Sequence, residues 1–83
     1  MLATPQEVET LRQLMAEHPL PHRLADYKAR GLTQRRWVFD KLWAIPQARR
    51  WPLIAGMYGR GLNDDHIYTA LKAAIRKEQT DAR

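Results

Sequence analysis

With 83 residues, 45% of them hydrophobic, the chain can build one packed core and is too short for two, since a domain this size hides only about 60 to 65% of its unfolded surface. Cysteine and serine are both absent, which excludes disulfides, thiolate metal sites and the two commonest covalent nucleophiles, and so points away from an enzyme. The net charge of +5 rests on ten arginines and four lysines, a balance suited to planar, bidentate contacts with phosphate or carboxylate.

Thr4 to about His18 reads as the first helix. Thr4 can cap it, Pro5 fits the first helical position, Glu7 completes a capping box, and Val8, Leu11, Leu14 and Met15 form its apolar stripe. Pro19 and Pro21 end it, because a residue before proline is pushed out of the helical region. A shorter helix follows from about His22 to Arg30, with Leu24, Tyr27 and Ala25 facing inward, and Gly31 closes it as a left-handed cap on which Leu32 packs back. Thr33 caps a third helix that runs to about Ile45, where Pro46 stops it. At 100° per residue, Val38, Phe39, Leu42, Trp43 and Ile45 share one broad face of this helix. Residues 47–51 read as a loop held between Pro46 and Pro52, after which Pro52 starts a short fourth helix carrying Leu53, Ile54, Met57 and Tyr58. Gly59 and Gly61 end it, and Asn63 caps a last helix with Asp64 and Asp65 at the positive end of its dipole and Ile67, Ala70, Leu71, Ala74 and Ile75 as its buried stripe. Residues 78–83 are expected to fray. The fold expected is therefore all-α, a compact bundle of four to five short helices in a single domain over residues 1–83, with helix-turn-helix-like corners.

One echo runs through the chain: Arg30-Gly31-Leu32-Thr33 and Arg60-Gly61-Leu62-Asn63 each join a helix ended by glycine to one begun by a capping residue. Two copies are too few for a solenoid, so the echo reads as the same capping chemistry used at two corners. Both corners invite comparison with a helix-turn-helix. The first places Gln34, Arg35 and Arg36 where a recognition helix meets DNA, but sets charged Arg30 and Asp40 at positions that such a motif keeps apolar. The second has the apolar framework, but its helix starts on Asp64 and Asp65, which repel phosphate.

Arg49-Arg50-Trp51 is the better binding candidate, because two guanidinium groups beside an indole can neutralise phosphates and stack on a base or on a partner's side chain. The competing reading folds Trp51 inward over the third helix, the commoner fate of tryptophan in a small chain. Trp37, close to Gln34 and Lys41 on the helical wheel, either packs under Pro19–Pro21 or anchors a partner at the surface. Asp65, Thr69, Lys72 and Arg76 line the polar face of the last helix. His18 and His22 are separated by two prolines and lack further ligands, and His66 beside Asp64 and Asp65 reads as a capping residue, so neither a metal nor a cofactor is expected. No apolar run reaches the roughly 18 residues that cross a bilayer. Glu7 and Glu9 stand where a signal peptide would be basic and then apolar, so a cytoplasmic protein without membrane contact is expected.

Gly31-Leu32-Thr33 with Trp37 to Ile45, followed by the stretch from Leu62 to Lys72, resembles short accessory proteins of phages and prophages. The resemblance implies a small modulator that acts on host nucleic acid or on a host protein, and it carries over no functional residues. From the residues themselves the expectation is a non-enzymatic, nucleic-acid-associated accessory or regulatory protein, with DNA ahead of RNA, acting through Arg35, Arg36, Trp37, Lys41, Arg49, Arg50 and Trp51. The alternative is an adaptor or inhibitor that sets the same arginines and an exposed tryptophan against an acidic host protein, with homodimer formation left open.

Overall fold

The computed structural model describes residues 2–81, with side chains through Gln79. The described residues form an all-α bundle in the order α1 (Pro5–Glu17), α2 (Leu24–Ala29), α3 (Gln34–Trp43), α4 (Gln47–Gly59) and α5 (Asp64–Asp81). The tail expected to fray from residue 78 continues α5 as far as Asp81, and residues 82–83 lie outside the described residues.

Side-chain caps set the helix starts. Thr4 Oγ1 accepts from the Glu7 amide at 3.1 Å while Glu7 Oε1 takes the Thr4 amide at 2.8 Å, the reciprocal box that the sequence implies. Thr33 Oγ1 accepts from the Arg36 amide at 3.1 Å. At the start of α5, Asn63 Oδ1 accepts from the His66 amide and the Asn63 amide donates to His66 Nδ1, which makes His66 a capping residue. The two glycine corners repeat one geometry. Gly31 and Gly61 have φ of 77° and 93°, and the following leucine amide reaches back to Tyr27 O at 2.9 Å and to Met57 O at 3.2 Å.

Residues 47–51 are not a loop. They form the first turns of α4, whose N-cap is Pro46 and which runs on through Pro52. Pro46, with φ −54° and ψ 140°, suits the position before a helix, and its carbonyl receives the Arg49 and Arg50 amides at 2.9 and 3.1 Å. This early nucleus overrides the bias against helix at Trp51 that Pro52 imposes, at the expense of the bond that Ala48's carbonyl would receive from position 52.

The core gathers on α5. Its stripe of Ile67, Ala70, Leu71, Ala74 and Ile75 is buried against Leu11, Leu14 and Met15 of α1 and against Trp37, Val38 and Leu42 of α3. Tyr27 of α2 and Met57 of α4 close the ends. Three side chains expected inside lie outside: Ala25 of α2 is exposed, and so are Trp43 and Tyr58, because among the described residues no helix crosses the flank of α3 and α4 that carries these two aromatics. Ion pairs tie the helices together at the surface, Glu7 of α1 to Arg60 beyond α4, Glu9 to Lys77 of α5, and Glu17 to Arg49 of α4.

Candidate nucleic-acid interface

On α3, Arg35, Phe39 and Trp43 are spaced by four residues and line one flank. On α4, Gln47, Trp51, Ile54 and Tyr58 follow at spacings of four, three and four, with Arg50 beside them. Phe39 and Trp43 of the first row face the second across a groove of about 290 Å³ whose floor is Leu42 and Ile54. Trp43 is 60% exposed, Trp51 58% and Tyr58 41%, so three aromatic side chains stand at the surface of one small groove. Among the described residues nothing covers them.

Arginines frame this surface. Arg50 lies over the Trp43 ring with its guanidinium 4.4 Å from the centroid, and its Nη1 donates to the Ile45 carbonyl at 2.5 Å. It has no carboxylate partner among the described residues, so its charge remains available to a ligand. Farther along α3, Arg35 lies 5.3 Å from the Phe39 ring and 4.8 Å from that of Tyr68, the two rings stacking with centroids 6.0 Å apart, and it reaches Asp65 of α5 at 3.0 Å. At the other end, the Tyr58 hydroxyl donates to Asp64 Oδ1 at 2.5 Å. That bond, with burial and the carboxylate charge adding to it, pushes the phenol up to about 12.

The other residues expected to bind are dispersed or already occupied. Trp37 is buried, and its Nε1 donates to the His22 carbonyl at 3.1 Å, so it packs beneath the segment after Pro21 rather than anchoring a partner. Lys41 sits over the Trp37 ring at 4.7 Å, on the flank of α3 away from the groove. Arg36 points to Asp40, 3.7 Å away, and Arg49 is held by Glu17 with His18 alongside. Arg50 and Trp51 are thus the expected residues that come together in the groove, with Trp43 and Tyr58 added from positions that the sequence assigns to the core, while Arg35 lies over Phe39 and is paired with Asp65.

The first glycine corner shows how its charged residues are accommodated. Asp40 Oδ2 accepts the Tyr27 hydroxyl at 2.6 Å, so the acid joins α2 to α3 through a hydrogen bond, while Arg30 stays in solvent. The carboxylate raises the Tyr27 phenol above its ordinary range. Gln34, Arg35 and Arg36 stand in the first turn of α3 as a recognition helix would require, but α2 is only six residues long.

Comparison with protein-family models, curated proteins and solved structures gives no match, and so adds no support to the resemblance to phage accessory proteins. Among the described residues, no helix is long and apolar enough to cross a membrane.

Proposed function

We propose that this chain is a small, non-enzymatic nucleic-acid-binding accessory protein that takes single-stranded nucleic acid into the groove between α3 and α4. The observation that carries the reading is the pair of exposed indoles, Trp43 and Trp51, beside the carboxylate-free Arg50. An unpaired base offers a π-face to stack on Trp51, and the neighbouring phosphate offers an acceptor to the Arg50 guanidinium. A duplex keeps its bases stacked on one another, so the groove suits a single strand. Regulation or protection of exposed strands is the role that fits such a contact.

Quenching of tryptophan emission by single-stranded DNA and RNA oligonucleotides, measured across a salt series, tests the proposal directly. Trp51→Ala is expected to weaken binding about tenfold, within the range of one lost base stack. Arg50→Ala is expected to make the log–log salt slope shallower by about 0.7, the amount for one phosphate contact on a single strand. No quenching at low salt overturns the reading.

A second reading keeps the groove and changes the partner. Arg35, Arg36 and Arg49 are each drawn to a carboxylate of the chain itself, Asp65, Asp40 and Glu17, which leaves less charge for a run of phosphates. On this reading the protein is an adaptor or inhibitor whose aromatics receive an apolar side chain from an acidic protein surface, with Arg50 meeting the acid. Capture of a partner protein that is lost in Trp43→Ala, together with indifference to oligonucleotides, distinguishes it.

A further inference from the structure

A second depression, larger than the groove, opens on the other flank of α3, between α2, α3 and α5. Its volume is about 530 Å³, in the range of pockets that take small organic molecules. Leu24 of α2, Val38 of α3 and Ile75 of α5 form its floor. Trp37 adds the body of its ring, since its only polar atom is spent on the His22 carbonyl. The floor is therefore apolar.

The rim is cationic. Arg23, Lys41, Lys72 and Arg76 surround the cleft, and among the described residues no carboxylate lines it. Elsewhere Arg12, Arg35, Arg36, Arg49, Arg60 and Lys77 each meet an aspartate or glutamate, while Lys28, Arg30 and Arg50 meet none among the described residues and lie outside this cleft. Arg23, Lys41 and Lys72 meet none among the described residues. Lys41 and Lys72 are half-buried, and their ammonium groups rest over aromatic rings, Lys41 at 4.7 Å from Trp37 and Lys72 at 5.2 Å from Tyr68. A ring face holds an ammonium in place without neutralising it. Two partly desolvated cations from neighbouring helices are thus fixed beside an apolar floor, with their charge left for something outside the chain.

We infer that this cleft is a binding site for a small organic anion, one with a phosphate or carboxylate head for Arg23, Lys41 and Lys72 and an apolar body for the Leu24–Val38–Ile75 floor. An inorganic anion would satisfy the rim and leave the floor wetted; a neutral apolar compound would cover the floor and leave the cations unmatched. Only a molecule with both parts complements the cleft, and the Gln34 amide at its edge can orient the head. The site does not depend on the nucleic-acid reading, because it uses the opposite flank of α3 from Trp43 and Trp51.

The test is titration with 1-naphthyl phosphate, inorganic phosphate and 1-naphthol, followed by amide and indole resonances of the isotopically labelled protein. Saturable shifts are expected at the Trp37 indole and at Leu24, Val38 and Ile75 with naphthyl phosphate, and binding about tenfold or more weaker with either fragment alone. Lys41→Gln/Lys72→Gln is expected to weaken naphthyl phosphate by about tenfold, and Lys41→Arg/Lys72→Arg to retain it, with helical circular dichroism unchanged in both. Absence of saturable binding, equal affinity for inorganic phosphate, an unweakened double glutamine variant, or shifts confined to the Trp43 and Trp51 indoles each overturns the inference. Because oligonucleotide binding is read at Trp43 and Trp51 and anion binding at Trp37, failure of one is distinguishable from failure of the other.

Discussion

Ionising Tyr58 removes the proton that it shares with Asp64, which is why its phenol is pushed up to about 12. A value raised in the folded state means that this contact supports the fold fully below the ordinary tyrosine value of 10, and that its contribution is lost as pH rises through 12. Absorbance titration of Asp64→Ala is expected to bring the latest-titrating phenol back toward 10, and Tyr58→Phe to remove that step. A latest step that stays in place in Asp64→Ala would count against the pairing. The residues of the groove were only partly legible. The helical wheel sets Trp43 beside Phe39 on the broad apolar face of α3 and leaves Trp37 beside Gln34 and Lys41, yet Trp37 is the buried one and Trp43 the exposed one. What separates them is tertiary: α2 and the segment after Pro21 cover Trp37, and no helix among the described residues covers Trp43. Trp51 posed the complementary problem, since composition favours burial, whereas its place on the outer side of α4 leaves it in solvent.

At the scale of helices, the start and stop chemistry was readable wherever a side chain or a glycine performs it. Thr4 with Glu7, Thr33, Gly31, Gly61 and Asn63 all act at the positions that their residue types imply. The failure came where proline has two opposite uses. Pro52 reads as the first residue of a helix, yet here it lies inside α4, and Pro46 supplies the start instead. Local rules could not weigh these, because the choice depends on Ile45 and Ile54 both being drawn into one core. The two glycine corners allow a clean measurement. A side chain at Gly31 or Gly61 would meet nothing within 4 Å, so any loss on substitution belongs to the backbone alone. Gly31→Ala and Gly61→Ala are each expected to lower unfolding stability by about 1 kcal/mol, the usual cost of the left-handed conformation for a residue with a Cβ. Chemical denaturation checks this, and a corner that tolerates alanine without loss would show that its glycine is not what turns the chain.

Across the whole molecule, the first helix is fastened to the last. α1 packs on α5 more extensively than any other pair does, and Glu9 adds contacts to Arg12 and Lys77 that hold its carboxyl down at about 2, against an ordinary value of 4.5. Glu7 is lowered as well, chiefly by its hydrogen bond from Arg60. Carboxylates depressed in this way support the fold fully above about pH 4.5 and lose their contribution as the pH falls through their folded values. Denaturation midpoints measured from pH 6 down to pH 2 are expected to fall, and to fall less steeply in Glu9→Gln. A variant with the same acid sensitivity as the parent chain would remove Glu9 from that account. The Trp37 indole proton, bonded to the His22 carbonyl inside the α2–α3 joint, is shut away from solvent, whereas the indoles of Trp43 and Trp51 stand in water. In deuterium oxide the latter two should exchange at once and Trp37 only when the joint opens, so a single indole resonance times the breathing of this joint without any added label.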